Sequence, residues 1–550
     1  MRRSAAQLHA LEAVVRQIRA CDPNSRRKYL REFNESFSSY GAVLSREELD
    51  SLLRSAGILL VGDYHALAAS QRFAATLVSQ LRYSGRPLVL ALEMVFARDQ
   101  HILDEWSAGE ITEGELRERI RFDVEWGYEW GPYAELLHAA RAADARICGL
   151  DCMPRGDLRR ISARDRHAAT KLAELRASYP DARILALFGE SHLAPSHLPL
   201  EVHTLLPQEH VLTVLQNIDT LYWRACGEVR GGVEAVQVED DVVCVFNATP
   251  LEKYESYRFC IERWTRAPAE RPDFTASVYN LVGALARALK INPYSPHNGT
   301  QPKFLVDQLP EICVRPTVEA LRRAMERKRV PAADIAAAEE SLTAGGMAYV
   351  VGANTIFMTH WELSGAAEPV AHFLHCACRG ILAPCGPVPA QTLTAEDRFY
   401  ARVLEVALAD FGARVLYPVR PPKREIDLYG LYAEPRERIE EQSILSYRDY
   451  MRMVDFLVFH RDYERNERKY FEVPSLIAEG RKYSGERFGF VTGRLGEMLG
   501  TELYEQYVSG RVNKRFIRSL LFRRLERPDV ARVAYFAAVR RLRRGKRRLN

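Results

Sequence analysis

Between residues 57 and 216 the apolar positions gather in short unbroken runs, at 57–61, 88–93, 146–151, 183–188 and 211–216. Buried parallel strands read this way because both of their faces are covered. The gaps between runs keep a 3.6-residue apolar period and predict helices over 66–83, a pair within 97–121, 133–143 and 158–178. That alternation predicts an α/β fold, a largely parallel sheet flanked by helices. Runs at 233–238 and 242–246 flank Glu239-Asp240-Asp241 and predict a closing hairpin. Upstream, Leu8, Leu11, Val14, Val15 and Ile18 keep a helical period, and Ser45-Arg46-Glu47-Glu48 has the form of a helix start, so 1–55 reads as a helical lead. Downstream, the proline-bearing run 266–272 reads as a linker. Helical patterns at 278–289, 318–328, 332–343, 366–380, 395–411 and 447–459 then predict a mostly α-helical C-terminal domain. The expected division is 1–55, 56–265, 277–539 and a basic tail at 540–550.

Two of the strand-like runs end in the same tetrad. The run 57–61 leads into Gly62-Asp63-Tyr64-His65, and 183–188 leads into Gly189-Glu190-Ser191-His192. Between them, 88–92 ends in Glu93-Met94. The carboxyl ends of parallel strands are where α/β proteins place ligands, and glycine permits a sharp turn there. Three such ends bring His65, His192 and Glu93 to one sheet edge. Two imidazoles and a carboxylate can hold a divalent metal ion, or move a proton near neutral pH.

These residues make the chain resemble the ChaN-like family of the Tiki superfamily, whose relatives include erythromycin esterases and Tiki-type metalloproteases. The resemblance covers roughly 55–250 and rests on Gly62 with His65, Glu93-Met94, Trp130 followed by Tyr133, and Gly189 with His192. Asp63 stands where the family usually has Glu, one methylene longer. The closer family implies binding of haem or iron, and the more distant relatives imply a hydrolase of ester or amide bonds. The esterase relatives also carry an Arg-Asp pair, which Arg164-Asp165 matches here, although Ala168-Ala169 replaces their Met-Ala. An arginine fork at a helix start can bind a carboxylate or an oxyanion, and it equally suits a solvated charge pair.

Other residues add candidates. Trp126, Tyr128, Trp130 and Tyr133 crowd four aromatics into eight residues, as a pocket wall or as ordinary core. A tyrosine such as Tyr64 or Tyr128 can ligate haem iron. Asp151 ends the third strand, where the family often has Asn, and is read as a ligand-binding residue or a cap. Asp63, Tyr64 and Glu190 join the ligand-binding set by their places in the tetrads. His372, His375, Cys376 and Cys378 cluster on one predicted helix with Cys385 after it, yet no Cys-x-x-Cys partner completes a zinc site, so core packing is expected. No nucleophile elbow, phosphate-binding loop or dinucleotide fingerprint occurs.

Composition narrows the setting. Ten scattered cysteines in 550 residues suggest reduced thiols, and the start Met1-Arg2-Arg3-Ser4 soon meets Glu12, Arg16 and Arg19, so no secretion signal is read and the cytoplasm is expected. No apolar run approaches membrane-spanning length. The net charge of +5 comes from seven cations between 540 and 548, and the body is near neutral, which points away from specific nucleic-acid binding. The tail is expected to be solvated, with weak contact to anionic surfaces. The expected partner is a small-molecule ligand or substrate, and a homodimer is compatible with the chain. Two functions follow. One is a pocket for haem or a metal at the sheet edge. The other is a hydrolase using His65, Glu93 and His192, with Arg164 stabilising an oxyanion.

Overall fold

The computed structural model describes residues 5–21, 28–153, 161–228, 233–265, 273–293, 305–382, 393–442, 445–465 and 484–546. The linker expected at 266–272, Pro154-Arg155 after the third run, Cys385 and the last four tail residues lie outside them. The chain divides into two compact units, Leu11–Glu270 and Met1–Ala10 with Arg271–Asn550.

The first unit is built on an eight-stranded sheet. Its strands are β1 (Ala42–Leu44), β2 (Ile58–Asp63), β3 (Leu88–Phe96), β4 (Arg146–Asp151), β5 (Arg183–Gly189), β6 (Val211–Gln216), β7 (Ala235–Glu239) and β8 (Val242–Val245). They lie in the order β1-β7-β8-β6-β2-β5-β3-β4. From β8 to β4 every pairing is parallel, whereas β1–β7 and β7–β8 are antiparallel. Alternate residues of each strand feed opposite cores. Leu59, Val61, Leu90, Leu92 and Leu185 face one, with the helices Ala68–Leu81 and Trp130–Ala142. Ile58, Leu60, Val89, Ala91 and Ile184 face the other, with the helix Ile161–Ser178. Both faces are therefore covered, which is why the strands read as unbroken apolar runs.

The lead expected at 1–55 is not one helical body. Residues 42–44 form an edge strand on β7, and Phe33 and Phe37 join the second core. Three residues are too few to show a strand period, so only the pairing reveals β1. The first ten residues go with the other unit, where Gln7 Nε2 donates to Leu416 O (2.8 Å) and Asn280 Nδ2 to Ala10 O (2.9 Å). β3 and β4 approach closely at a register shift between Leu92 and Phe96. A Cβ at Gly149 would stand 2.7 Å from Phe96 O, so the close approach requires glycine there.

The second unit is rich in helices, with a three-stranded sheet of β9 (Glu311–Val314), β10 (Met347–Val350) and β11 (Thr355–Met358) that the helical pattern does not foretell. In the helix Leu363–Arg379, His375, Cys376 and Cys378 are buried among apolar neighbours. Burial holds the His375 imidazole well below its ordinary value, hence neutral. Among the described residues no helix is long and apolar enough to cross a membrane.

The basic tail needs a correction. The helix Val530–Lys546 runs through its first seven residues, Leu542 is 1% exposed, and Arg543 Nη1 donates to the Glu464 carbonyl. One buried leucine in a helix seam outweighs the solvation expected of a basic run. Truncation after Val539 is therefore expected to cost about 2 kcal/mol, the burial of one leucine side chain. A urea midpoint for the helical unit that stays unchanged in this truncation would return the whole stretch to solvent.

Candidate active site at the carboxyl edge of the sheet

β5 lies between β2 and β3, so the three strand ends singled out by their sequence are direct neighbours. Asp63 is level with Gly189, and Leu92 with Leu187. His65 follows β2, His192 sits in the short 3-10 turn Glu190–Leu193 after β5, and Glu93 lies within β3. Neither tetrad glycine has positive φ, and Gly189 stands at φ −49, ψ 129. The reason for glycine at 189 is proximity. A Cβ there would lie 3.1 Å from Glu93 Oε2, 3.1 Å from His65 Nε2 and 3.2 Å from His192 Cδ2.

Glu93 is the hub. Its Oε1 accepts from Arg164 Nη2 (2.5 Å) and its Oε2 from the Gly189 amide (2.5 Å). The same two oxygens stand 3.8 Å from His192 Nε2 and 3.8 Å from His65 Nε2. Arg164 is held in turn by Asp151, through Nε (2.8 Å) and Nη2 (2.9 Å), a two-point grip that fixes the guanidinium plane. Burial would raise the Glu93 carboxyl, but Arg164, the two imidazoles and the Gly189 amide overcome it and bring it from its ordinary 4.5 to about 2. A group this acidic is a poor base at neutral pH. Glu93 is thus held as a negative charge at neutral pH.

Each imidazole has its own aspartate. His65 Nδ1 lies 2.9 Å from Asp63 Oδ2, and Asp63 also accepts from Tyr133 OH (2.7 Å) and from Gln71 Nε2. His192 Nδ1 lies 2.5 Å from Asp165 Oδ1, and Asp165 Oδ2 accepts from Tyr29 OH (2.6 Å). A carboxylate on Nδ1 selects the tautomer with Nδ1–H and leaves Nε2 facing Glu93. Burial works to lower the His65 imidazole, but Asp63, by charge and hydrogen bond, and Glu93 hold it above its ordinary value. The two differ in access, since the His65 side chain is 22% exposed and that of His192 only 5%.

The other candidates fall as follows. Glu190 does not face Glu93; it is paired with Lys253 Nζ (2.9 Å), from the helix Pro250–Thr265. Lys253 also covers the Tyr64 ring at 4.7 Å and donates to Asn217 O (3.3 Å). Trp130 does not line the edge. It donates to Glu113 (2.7 Å) and packs on Phe122, while Trp126 and Tyr128 flank His65 at ring distances of 4.4 and 5.1 Å. Tyr133 is a buried donor to Asp63 and not a wall.

Sequence reasoning assigned no role to Tyr29, Gln71, Asp165 or Lys253. Only Asp165 left a local signal, since neighbours on a helix point about 100° apart and Arg164 and Asp165 serve different partners. Tyr29 lies 136 residues before the aspartate it serves, and its ring stacks on His197 at 3.7 Å.

Among the described residues no group of three or more His, Cys, Asp or Glu side chains is arranged to hold a metal ion. At the edge, both oxygens of Glu93 are engaged, by Arg164 and by the Gly189 amide. The expected metal triad of His65, His192 and Glu93 therefore lacks geometric support.

A parallel α/β sheet with its polar network at the carboxyl edge defines the class of protein. Within it, residues 51–192 match the model of the family described as haem-binding uptake, Tiki superfamily, ChaN, and this segment is similar to that family. Two solved structures are similar. Campylobacter jejuni ChaN, described with cofacial haem, is 15% identical, over 32% of this chain and 86% of its own, at a TM-score of 0.25. The type III effector HopBA1 is 12% identical, over 38% of this chain and 96% of its own, at a TM-score of 0.30. Likenesses this slight carry no weight below. No curated protein matches the chain.

Proposed function

We propose that this edge is the acid–base site of a hydrolase acting on an ester or amide bond. The observation that carries the reading is the paired geometry: two imidazoles, each held at Nδ1 by an aspartate, turn Nε2 towards opposite oxygens of one carboxylate at 3.8 Å. In this reading His192, the enclosed imidazole, takes a proton from water as its oxygen attacks the carbonyl carbon. His65, the open one, gives a proton to the leaving oxygen or nitrogen as its bond to that carbon breaks. Glu93 stabilises whichever imidazolium is present, and Arg164 holds Glu93 in place. An oxyanion role for Arg164 would fall to Nη1, the end of the fork that its contacts with Asp151 and Glu93 do not use.

The test is a panel of chromogenic esters and anilides. The wild-type chain is expected to turn over at least one, and His65→Asn and His192→Asn each to lose ~10²-fold, the lower end for a general acid or base. Because the His65 imidazole is held above its ordinary 6.5, the acid form persists past that pH, and the rate should fall only as pH rises through the elevated value. Variants as active as the wild type would remove the reading.

A second reading, haem binding, is favoured by the description of the matching family. The rings of Trp126 and Tyr128 beside His65 suit a flat ligand. The imidazole Nε2, the atom left for an axial bond, stands 3.8 Å from Glu93 Oε2, a charge that competes for it. A saturable Soret band that survives in His65→Asn and is lost in Trp126→Ala would favour haem stacked without histidine ligation.

A further inference from the structure

Beside His65 lies an aromatic surface that the catalytic reading does not use. Tyr128 meets Trp264 edge-on at 5.5 Å, Trp264 meets Tyr257 at 6.2 Å, and Tyr257 meets Tyr64 at 6.3 Å. With Trp126 and Tyr128 against His65, the rings form an arc around the open imidazole. Tyr257 and Trp264 come from the helix Pro250–Thr265, beyond the segment that matches the family. Tyr64, Tyr128 and Tyr257 are only half-buried, and Trp264 is 47% exposed. The indole Nε1–H of Trp264 is spent on Gly127 O (2.9 Å), so its apolar faces are what it offers to solvent. Tyr64 and His65 each stay partly open beside these rings.

Among the described residues around His65, carboxylates outnumber cations. Asp63, Glu93, Asp151, Asp165, Glu190 and Asp219 bring six carboxylates to the edge and its rim, against the fixed cations Arg164 and Lys253. Arg258 on the roofing helix is taken by Glu255 and Glu262, and Arg19 is felt at Tyr254 on the rim. With both imidazoles protonated the described residues still keep a negative excess. Aromatic faces carry negative potential of their own and attract cations.

On the reading of this edge as an acid–base site, we propose that the crevice selects uncharged or cationic substrates carrying a flat ring, seats that ring on the arc of Trp126, Tyr128, Tyr257 and Trp264, and rejects anions. The ring lies against the open side of His65, which sets the bond to be cleaved next to the general acid. Among the described residues, a carboxylate in the same place meets Asp63 and Glu93, while Arg164 is already held by Asp151 and Glu93 and Lys253 by Glu190.

Calorimetric titration of the full chain with three probes of one shape tests this: benzyltrimethylammonium, benzyl alcohol and phenylacetate. The cation is expected to bind at least about tenfold tighter than phenylacetate, with the alcohol between them. Trp264→Ala is expected to weaken the cation about tenfold, and Trp264→Phe, which keeps a ring and loses the bond to Gly127, to retain most of the affinity. Circular dichroism of both variants should match the wild type. Phenylacetate binding as tightly as the cation, no binding by any probe, or a Trp264→Ala variant of full affinity would each overturn the proposal. Binding heat needs no turnover, so a chain that discriminates the probes but cleaves nothing sinks the hydrolase reading alone. A chain that cleaves anionic esters best sinks this proposal alone.

Discussion

Glu93→Ala is expected to destabilise the α/β unit by ~3–5 kcal/mol and to abolish turnover, because removing one partner of a buried ion pair leaves the other charge uncompensated. Arg164 would keep Asp151 but lose its second carboxylate, the Gly189 amide would lose its acceptor, and both imidazoles would lose the charge that Nε2 faces. Five of the six tryptophans, at 106, 126, 130, 223 and 264, lie in this unit, so urea unfolding followed by tryptophan fluorescence reports on it. The sign with pH is fixed by the shift. The Glu93 carboxyl is depressed from 4.5 to about 2, so its contribution is whole above pH 4.5 and is lost as pH falls towards 2. A shift of that size corresponds to ~3 kcal/mol. Wild type and Glu93→Ala should therefore differ most at neutral pH and converge in acid. A constant gap down to pH 2 would mean that the lost side-chain packing, and not the charge, is responsible.

Gly189→Ala is expected to separate function from folding. The backbone at φ −49, ψ 129 is open to any residue, so alanine brings no backbone strain. Its methyl would press on Glu93 Oε2, His65 Nε2 and His192 Cδ2 at 3.1–3.2 Å, each of which must yield by a few tenths of an ångström. Displacements short of 1 Å at a catalytic group can cost ~10²-fold in rate. The variant should unfold within about 1 kcal/mol of the wild type, as ordinary substitutions do, while kcat falls ~10²-fold and KM changes little. Full activity in Gly189→Ala would show that the reaction does not run between the two imidazoles.

Much of the first unit was legible because its strands are covered on both faces. That burial makes 57–61, 88–93, 146–151, 183–188 and 211–216 read as unbroken runs, and all five became neighbours in one sheet. His65, Glu93 and His192 were marked by their places at the ends of such runs. The purpose of Gly189 was not legible, because a glycine kept for a turn and one kept for a close approach look alike in sequence. Trp126 and Trp130 were equally indistinguishable, since both recur in one aromatic run and only the helix start at Trp130 sends one indole to Glu113 and leaves the other on His65.

The sequence by itself determined that an α/β unit precedes a helix-rich one, and which strand ends carry ionisable groups, because period and burial are local properties of a chain. Only the tertiary structure decided what those groups are. Glu93 is an anchored anion because Arg164, 71 residues away, and the Gly189 amide, 96 residues away, converge on it. His192 owes its tautomer to Asp165 and, behind that, to Tyr29, while Glu190 is drawn out of the site by Lys253. The strength of an acid or base depends on the charges within a few ångströms of it, and the fold chooses those neighbours from segments far apart along the chain.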